Sequence, residues 1–192
     1  MVKNHGSINL ENFLVQEKFN SILYYDPFVK VTFLTKLLQD IKIPVLYLDL
    51  DLLYSGYVAA EILTPQRNVT LYNPTQETWN ETLTKVLTKL STTKSLVILD
   101  SLNGLYNIQN EKKDVGRLVV SYTMLLVSIA KKTGSYVIIP CMARYKKEEG
   151  WTLSPPGKRM IELQKAQKIL LEKTDDKIVL NFLDDSKKKI IL

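Results

Sequence analysis

A single cysteine, Cys141, and a single histidine, His5, set the first limits on this chain of 192 residues. One cysteine excludes an internal disulfide and suits a reducing compartment. With His5 in a loose, polar N-terminus, the Cys141 thiol reads as a small buried apolar group rather than a nucleophile. The same scarcity counts against metal centres and against His-dependent nucleophilic catalysis. No apolar run approaches the roughly 20 residues that a membrane helix needs. Met1–Asn12 lacks the apolar core of a signal peptide. A cytoplasmic protein with no membrane partner is the expectation.

What is present is ordinary for a globular domain, with 45% hydrophobic and 24% charged residues. The net charge of +6 permits contact with nucleic acid without requiring it. Short apolar runs alternate with helical patterns, which predicts an α/β domain with a mostly parallel sheet. Strands are expected at 21–25, 43–49, 68–72, 96–99 and 135–139, the second and fourth being nearly all apolar, as when both faces are covered. Helices are expected at 32–40, 57–63, 76–90 and 114–132, with Pro65 closing the second. Asp114 reads as an N-cap and Gly134 as a C-terminal stop. Three short strands at 168–172, 178–182 and 189–192 close the chain as antiparallel strands. The whole of 1–192 reads as one domain, with 1–18 as an N-terminal segment, 103–113 as a loop and 143–159 as a long polar loop.

Leu96-Val97-Ile98-Leu99-Asp100 is an apolar strand closing on a carboxylate, the way P-loop ATPases present an Asp to Mg²⁺. The partner of such an Asp is a glycine-rich loop whose backbone N–H groups wrap the phosphates. At the corresponding place the chain reads Tyr25-Asp26-Pro27-Phe28-Val29-Lys30-Val31-Thr32, with no glycine.

The order of elements, Val45–Asp51 with its Asp-x-Asp ending, the Leu-Asp-Ser-Leu centre of Ser95–Leu105 and the strand running into Ala143 together resemble the RecA-like core of the RadA, RadB and KaiC group. That resemblance implies a single RecA-like domain, a central mostly parallel sheet flanked by helices. It also implies a degenerate phosphate loop, in which Asp26 stands near the first glycine and Lys30 and Thr32 are remnants. Asp51 falls where the family has a water-activating glutamate, but it is one methylene shorter and reads better as a strand-end cap. Met142 falls where a polar residue senses the γ-phosphate, and a thioether cannot do so. Asp100 is retained, and could serve as a turn or helix cap without metal. The implied protein is catalytically inactive, with no cofactor, and works as an assembly or scaffold subunit in a homo- or hetero-oligomer of RecA-like subunits. The RecA-like subunits of the Elongator complex and non-ATPase recombinase paralogues are similar in kind. The alternative is an ATP–Mg-dependent ATPase or nucleotide-binding regulator with an unconventional loop.

In the recombinase group two loops touch nucleic acid. Here the first would carry Lys112, Lys113 and Arg117, the second Arg144, Tyr145, Lys146, Lys147, Trp151, Lys158 and Arg159. Basic and aromatic residues interleaved in this way suit RNA or single-stranded DNA. Tyr24, Tyr25, Phe28, Phe33, Tyr54 and Tyr57 are expected around the vacated nucleotide edge, partly buried.

Overall fold

The computed structural model describes residues 10–148, 150–153, 166–175, 177–184 and 188–192. The first half of the chain runs β1 (Phe19–Tyr24), α1 (Pro27–Asp40), β2 (Val45–Asp49), α2 (Leu53–Ala59), β3 (Val69–Tyr72) and α3 (Trp79–Thr92). The second half begins with β4 (Leu96–Asp100), α4 (Leu102–Ile108) and α5 (Val115–Thr133). Among the described residues it continues with the strands β5 (Tyr136–Lys146), β6 (Gly150–Leu153), β7 (Gln167–Thr174), β8 (Lys177–Phe182) and β9 (Lys189–Ile191). All strands join one sheet of order β3-β2-β4-β5-β1-β7-β8-β9, with β6 paired to β5 outside that path.

Strands β3 to β7 in that order are mutually parallel, and β8 and β9 continue antiparallel. The expected α/β architecture, with a mostly parallel sheet and antiparallel C-terminal strands, is the one observed. β7 joins the two parts of the sheet, pairing parallel with β1 and, as expected, antiparallel with β8.

Because side chains alternate along each strand, the sheet sorts its own residues into two cores. Leu46, Leu48, Val97, Leu99, Val137 and Ile139 pack under α3, α4 and α5. Val45, Tyr47, Leu96, Ile98 and Ile138 pack under α1 and α2. Strands buried on both faces must be apolar at every position, which is why β2 and β4 read as unbroken runs.

Several boundaries differ from expectation for identifiable reasons. Helix α1 begins at Pro27, not near Thr32. Asp26 is its N-cap and accepts a hydrogen bond from the Phe28 N–H at 2.8 Å, and proline is preorganised for the first helical position. The 103–113 loop is shortened by α4, whose N-cap Ser101 accepts from the Gly104 N–H. Helix α2 starts at Leu53 and ends at Ala59, well before Pro65. Within the expected 143–159 loop, β5 continues to Lys146 and pairs with β6 (Gly150–Leu153) as a hairpin; 154–159 lie outside the described residues. Asp114 occupies the N-cap position of α5 but is left-handed, at φ 54°, and makes no side-chain cap bond. Gly134 does end α5, in the left-handed conformation at φ 64°. Leu10, Phe13 and Leu14 are buried in the α1-side core, so the N-terminal segment is anchored from residue 10. His5 lies outside the described residues.

Candidate functional site

At the carboxyl ends of β2 and β4, Asp49 and Asp100 stand side by side in register, and Asp51 follows in the next turn. Lys30 reaches them from α1. It lies on the helix stripe that includes Phe33, Leu34, Leu37 and Ile41, the stripe that faces the sheet. Its ammonium group sits 2.6 Å from Asp100 Oδ1 and 3.4 Å from Asp51 Oδ2. Tyr47 donates its hydroxyl to Asp100 Oδ2 at 2.7 Å. The Tyr24 ring lies under the ammonium, 5.1 Å from Nζ to centroid. Lys30 is 1% exposed and Asp100 0%.

Asp49 has a separate task. Its Oδ2 accepts from both the backbone N–H and the hydroxyl of Ser55, each at 2.7 Å, which ties β2 to the first turn of α2. Asp51 is wedged from the other side by Gly104 of α4. A Cβ there would stand 2.6 Å from Asp51 Oδ1 and 2.7 Å from Leu50 Cβ. Only glycine allows α4 to lie this close.

Burial pushes the Asp100 carboxyl up to about 6, although Lys30 and the Tyr47 hydroxyl both oppose the shift. Burial also works against the Lys30 ammonium, but Asp100, Tyr24 and Asp51 more than offset it and raise its pKa above the ordinary value. At neutral pH the pair is therefore ionised on both sides. Tyr47 is held well above the usual tyrosine range, first by burial and then by Asp100, so it remains a donor.

This arrangement uses up the groups that nucleotide chemistry would need. Both Asp100 oxygens are engaged, one by an ammonium and one by a phenol, and the residue has no solvent face for a hydrated Mg²⁺. Lys30 Nζ points at carboxylates and is shielded from solvent. Only Tyr25 and Asp26 separate β1 from α1, too short a connection to wrap a phosphate. The Asp26 carboxylate already takes an N–H at the start of α1, where an anion would dock. Thr32 turns its hydroxyl back to the Phe28 carbonyl at 2.8 Å. So Lys30 and Thr32 lie in the first turns of α1, and Asp51 takes part in the Lys30 ion pair. Asp100 caps nothing; Ser101 takes that role. Among the described residues no group of three or more His, Cys, Asp or Glu is placed to hold a metal.

The expected nucleic-acid residues fall into two places. Lys112, Lys113 and Arg117 lie between α4 and the first turn of α5, where Arg117 pairs with Asp114 at 3.8 Å. Arg144, Tyr145, Lys146 and Trp151 lie on the β5–β6 hairpin, with Lys147 in its turn. α4 packs against β5, so both groups occupy the end of the sheet to which the parallel strands point. Lys158 and Arg159 lie outside the described residues. The aromatic set divides: Tyr24, Phe33 and Tyr54 are buried, Tyr57 is half-buried, and Tyr25 and Phe28 are exposed.

Tyr47 and Tyr25 gain roles that the sequence did not suggest, the first on Asp100 and the second as a ring stacked on Trp151. The signal for Lys30 was available: a lysine within an otherwise apolar helical stripe needs a buried counter-charge. No protein-family model matches the chain, and no curated protein matches it in sequence. Among the described residues no helix is long and apolar enough to cross a membrane.

Proposed function

We propose that this chain is a non-catalytic protein of the RecA/KaiC type that works by association, as an assembly or scaffold subunit of a homo- or hetero-oligomer, and turns over no nucleotide. The observation that carries the reading is the buried contact of Lys30 with Asp100. In a P-loop ATPase a lysine and an aspartate at these strand and helix ends face a triphosphate and its Mg²⁺ from two sides. Here they face each other at 2.6 Å, with no room for a phosphate between them.

Association is the remaining use for the end of the sheet where ligands of open α/β folds bind. Phe28, Leu52 and Tyr25 are exposed there, an apolar surface of the kind that marks contact sites. The alternative ATPase reading requires Lys30 and Asp100 to part and Asp26 to release the helix N-terminus.

Calorimetric titration with ATP–Mg²⁺ separates the two. No saturable heat up to millimolar ATP is expected. Saturable heat that disappears in Asp100→Asn would overturn the non-catalytic reading.

A further inference from the structure

Helix α1 and the β7–β8 hairpin leave a groove of about 200 Å³ between them. Its position follows from two periods. Along α1, Phe28, Thr32 and Lys36 succeed one another at four-residue spacing, on a stripe beside the one that faces the sheet. Across the hairpin, Lys173 and Ile178 are paired in register, so both side chains leave the sheet on the side where α1 packs. Val29 and Ile178 are buried and make the floor, while Phe28, 67% exposed, makes an outer wall.

The polar groups divide along the groove. Lys36 and Lys173 bring two ammonium groups to it, and among the described residues neither is in an ion pair. Helical side chains lean toward the helix N-terminus, so Lys36 reaches back along the groove toward Thr32. Asp26 stands at the other end, with one carboxylate oxygen already on the Phe28 N–H. Other lysines of the chain do have carboxylate partners: Lys30 has Asp100, Lys85 has Glu81 and Lys131 has Glu17. Two ammonium groups without such partners over an apolar floor serve no purpose in the fold itself.

We infer that this groove binds a small monoanion with an apolar body, a carboxylate carried on one ring and a short chain. The body lies on Val29, Ile178 and the Phe28 ring, and the carboxylate takes charge-assisted hydrogen bonds from Lys36 and Lys173. Two ammonium groups and one carboxylate leave the groove with a net charge of +1, which suits a single negative charge. A triphosphate suits it less, because Asp26 repels the additional charge. For a ligand of about a dozen non-hydrogen atoms, the binding energy per atom usual for drug-sized ligands gives a dissociation constant on the order of a millimolar. The inference goes beyond the reading of the chain as a non-catalytic subunit, and it stands or falls apart from the ATP titration.

The probe is phenylbutyrate, titrated into the isotope-labelled full chain to about 10 mM, several times the expected constant, and followed by backbone amide shifts. Saturable shifts centred on Phe28–Lys36 and Lys173–Ile178 are expected. Phenylbutanol has the same body without the charge, and acetate has the charge without the body. Each is expected to bind about tenfold more weakly or worse. Lys36→Met and Lys173→Met keep an apolar stem and lose the charge. Each is expected to weaken phenylbutyrate about three- to tenfold with an unchanged melting temperature. Lys177→Met, in the same hairpin but outside the groove, is expected to change nothing.

Phenylbutanol binding as tightly as phenylbutyrate would overturn the inference, since the groove would then be apolar only. So would unchanged affinity in both lysine variants, shifts centred elsewhere on the chain, or no saturation. Binding weakened as much by Lys177→Met would overturn it too, because the effect would then come from net charge and not from this groove.

Discussion

Lys30 shows how one side chain can decide what a fold end does. A buried ammonium is costly unless paired, and this one has Asp100 and Asp51 as partners and a tyrosine ring beneath it. Removing it should leave a buried carboxylate without a counter-charge. Lys30→Met is therefore expected to lose about 3–5 kcal/mol in urea unfolding at pH 8. Lys30→Met with Asp100→Asn should recover most of that loss, since no uncompensated charge remains. A double variant as unstable as the single one would sink the argument. The pH dependence has a defined sign. The folded pKa of Asp100, about 6, lies above its ordinary value, so the native state binds more protons than the unfolded chain in between. Its contribution to stability is fully present below about pH 4 and is lost as pH rises through about 6. Wild type compared with Asp100→Asn by urea midpoints should show the difference falling between pH 4.5 and 7.5; a rise would contradict the assignment. The sequence contained the lysine, the stripe and the aspartate. The pairing itself spans 70 positions and depends on α1 lying across β4, which no local pattern encodes.

Glycine placement tests the element scale, because two helical glycines should respond in opposite directions. Gly104 lets α4 approach the turn after β2, where an added Cβ would meet Asp51 Oδ1, Leu50 Cβ and, at 3.1 Å, the Leu50 backbone. Gly104→Ala should cost about 1–3 kcal/mol despite the better helix propensity of alanine. At Gly56 in α2 a Cβ would meet nothing within 4 Å, and Gly56→Ala should gain up to about 1 kcal/mol. Thermal melts of the two variants check both signs, and a stable Gly104→Ala would mean that α4 is not seated as described. Elements governed by one period were legible from sequence: β2 and β4 as apolar runs, α3 and α5 as amphipathic helices. Those set by tertiary pairing were not. Ala143, Tyr145, Trp151 and Leu153 do alternate as a hairpin should, yet the charged turn between them reads as loop. Asp26-Pro27 is a readable helix start, although it occupies the place where a phosphate loop would stand.

At the scale of the whole molecule, the question is why the chain keeps apolar side chains exposed where the parallel strands end. Leu52 is the clearest case: it is 59% exposed and its backbone is left-handed, at φ 58°. A leucine in that conformation is strained by roughly 1–2 kcal/mol relative to residues that tolerate it. Exposure and strain at one residue both work against the monomer, which makes sense if the side chain is covered in an assembly. Phe28, 67% exposed on the first turn of α1, extends the same end of the sheet. Two substitutions then separate folding from association. Leu52→Asn should raise the stability of the monomer by up to about 1 kcal/mol, because asparagine tolerates the left-handed region, and at the same time weaken self-association. Phe28→Arg should weaken association with no change in melting temperature, since the ring packs on little. Sedimentation velocity across micromolar concentrations reads the outcome against the 22.0 kDa of one chain. A wild type that is monomeric throughout would remove self-assembly and leave only a different chain as partner. A Leu52→Asn variant that gains stability and still assembles would place the interface elsewhere. If stability rises and assembly falls together, the strain at Leu52 is the cost of a contact surface.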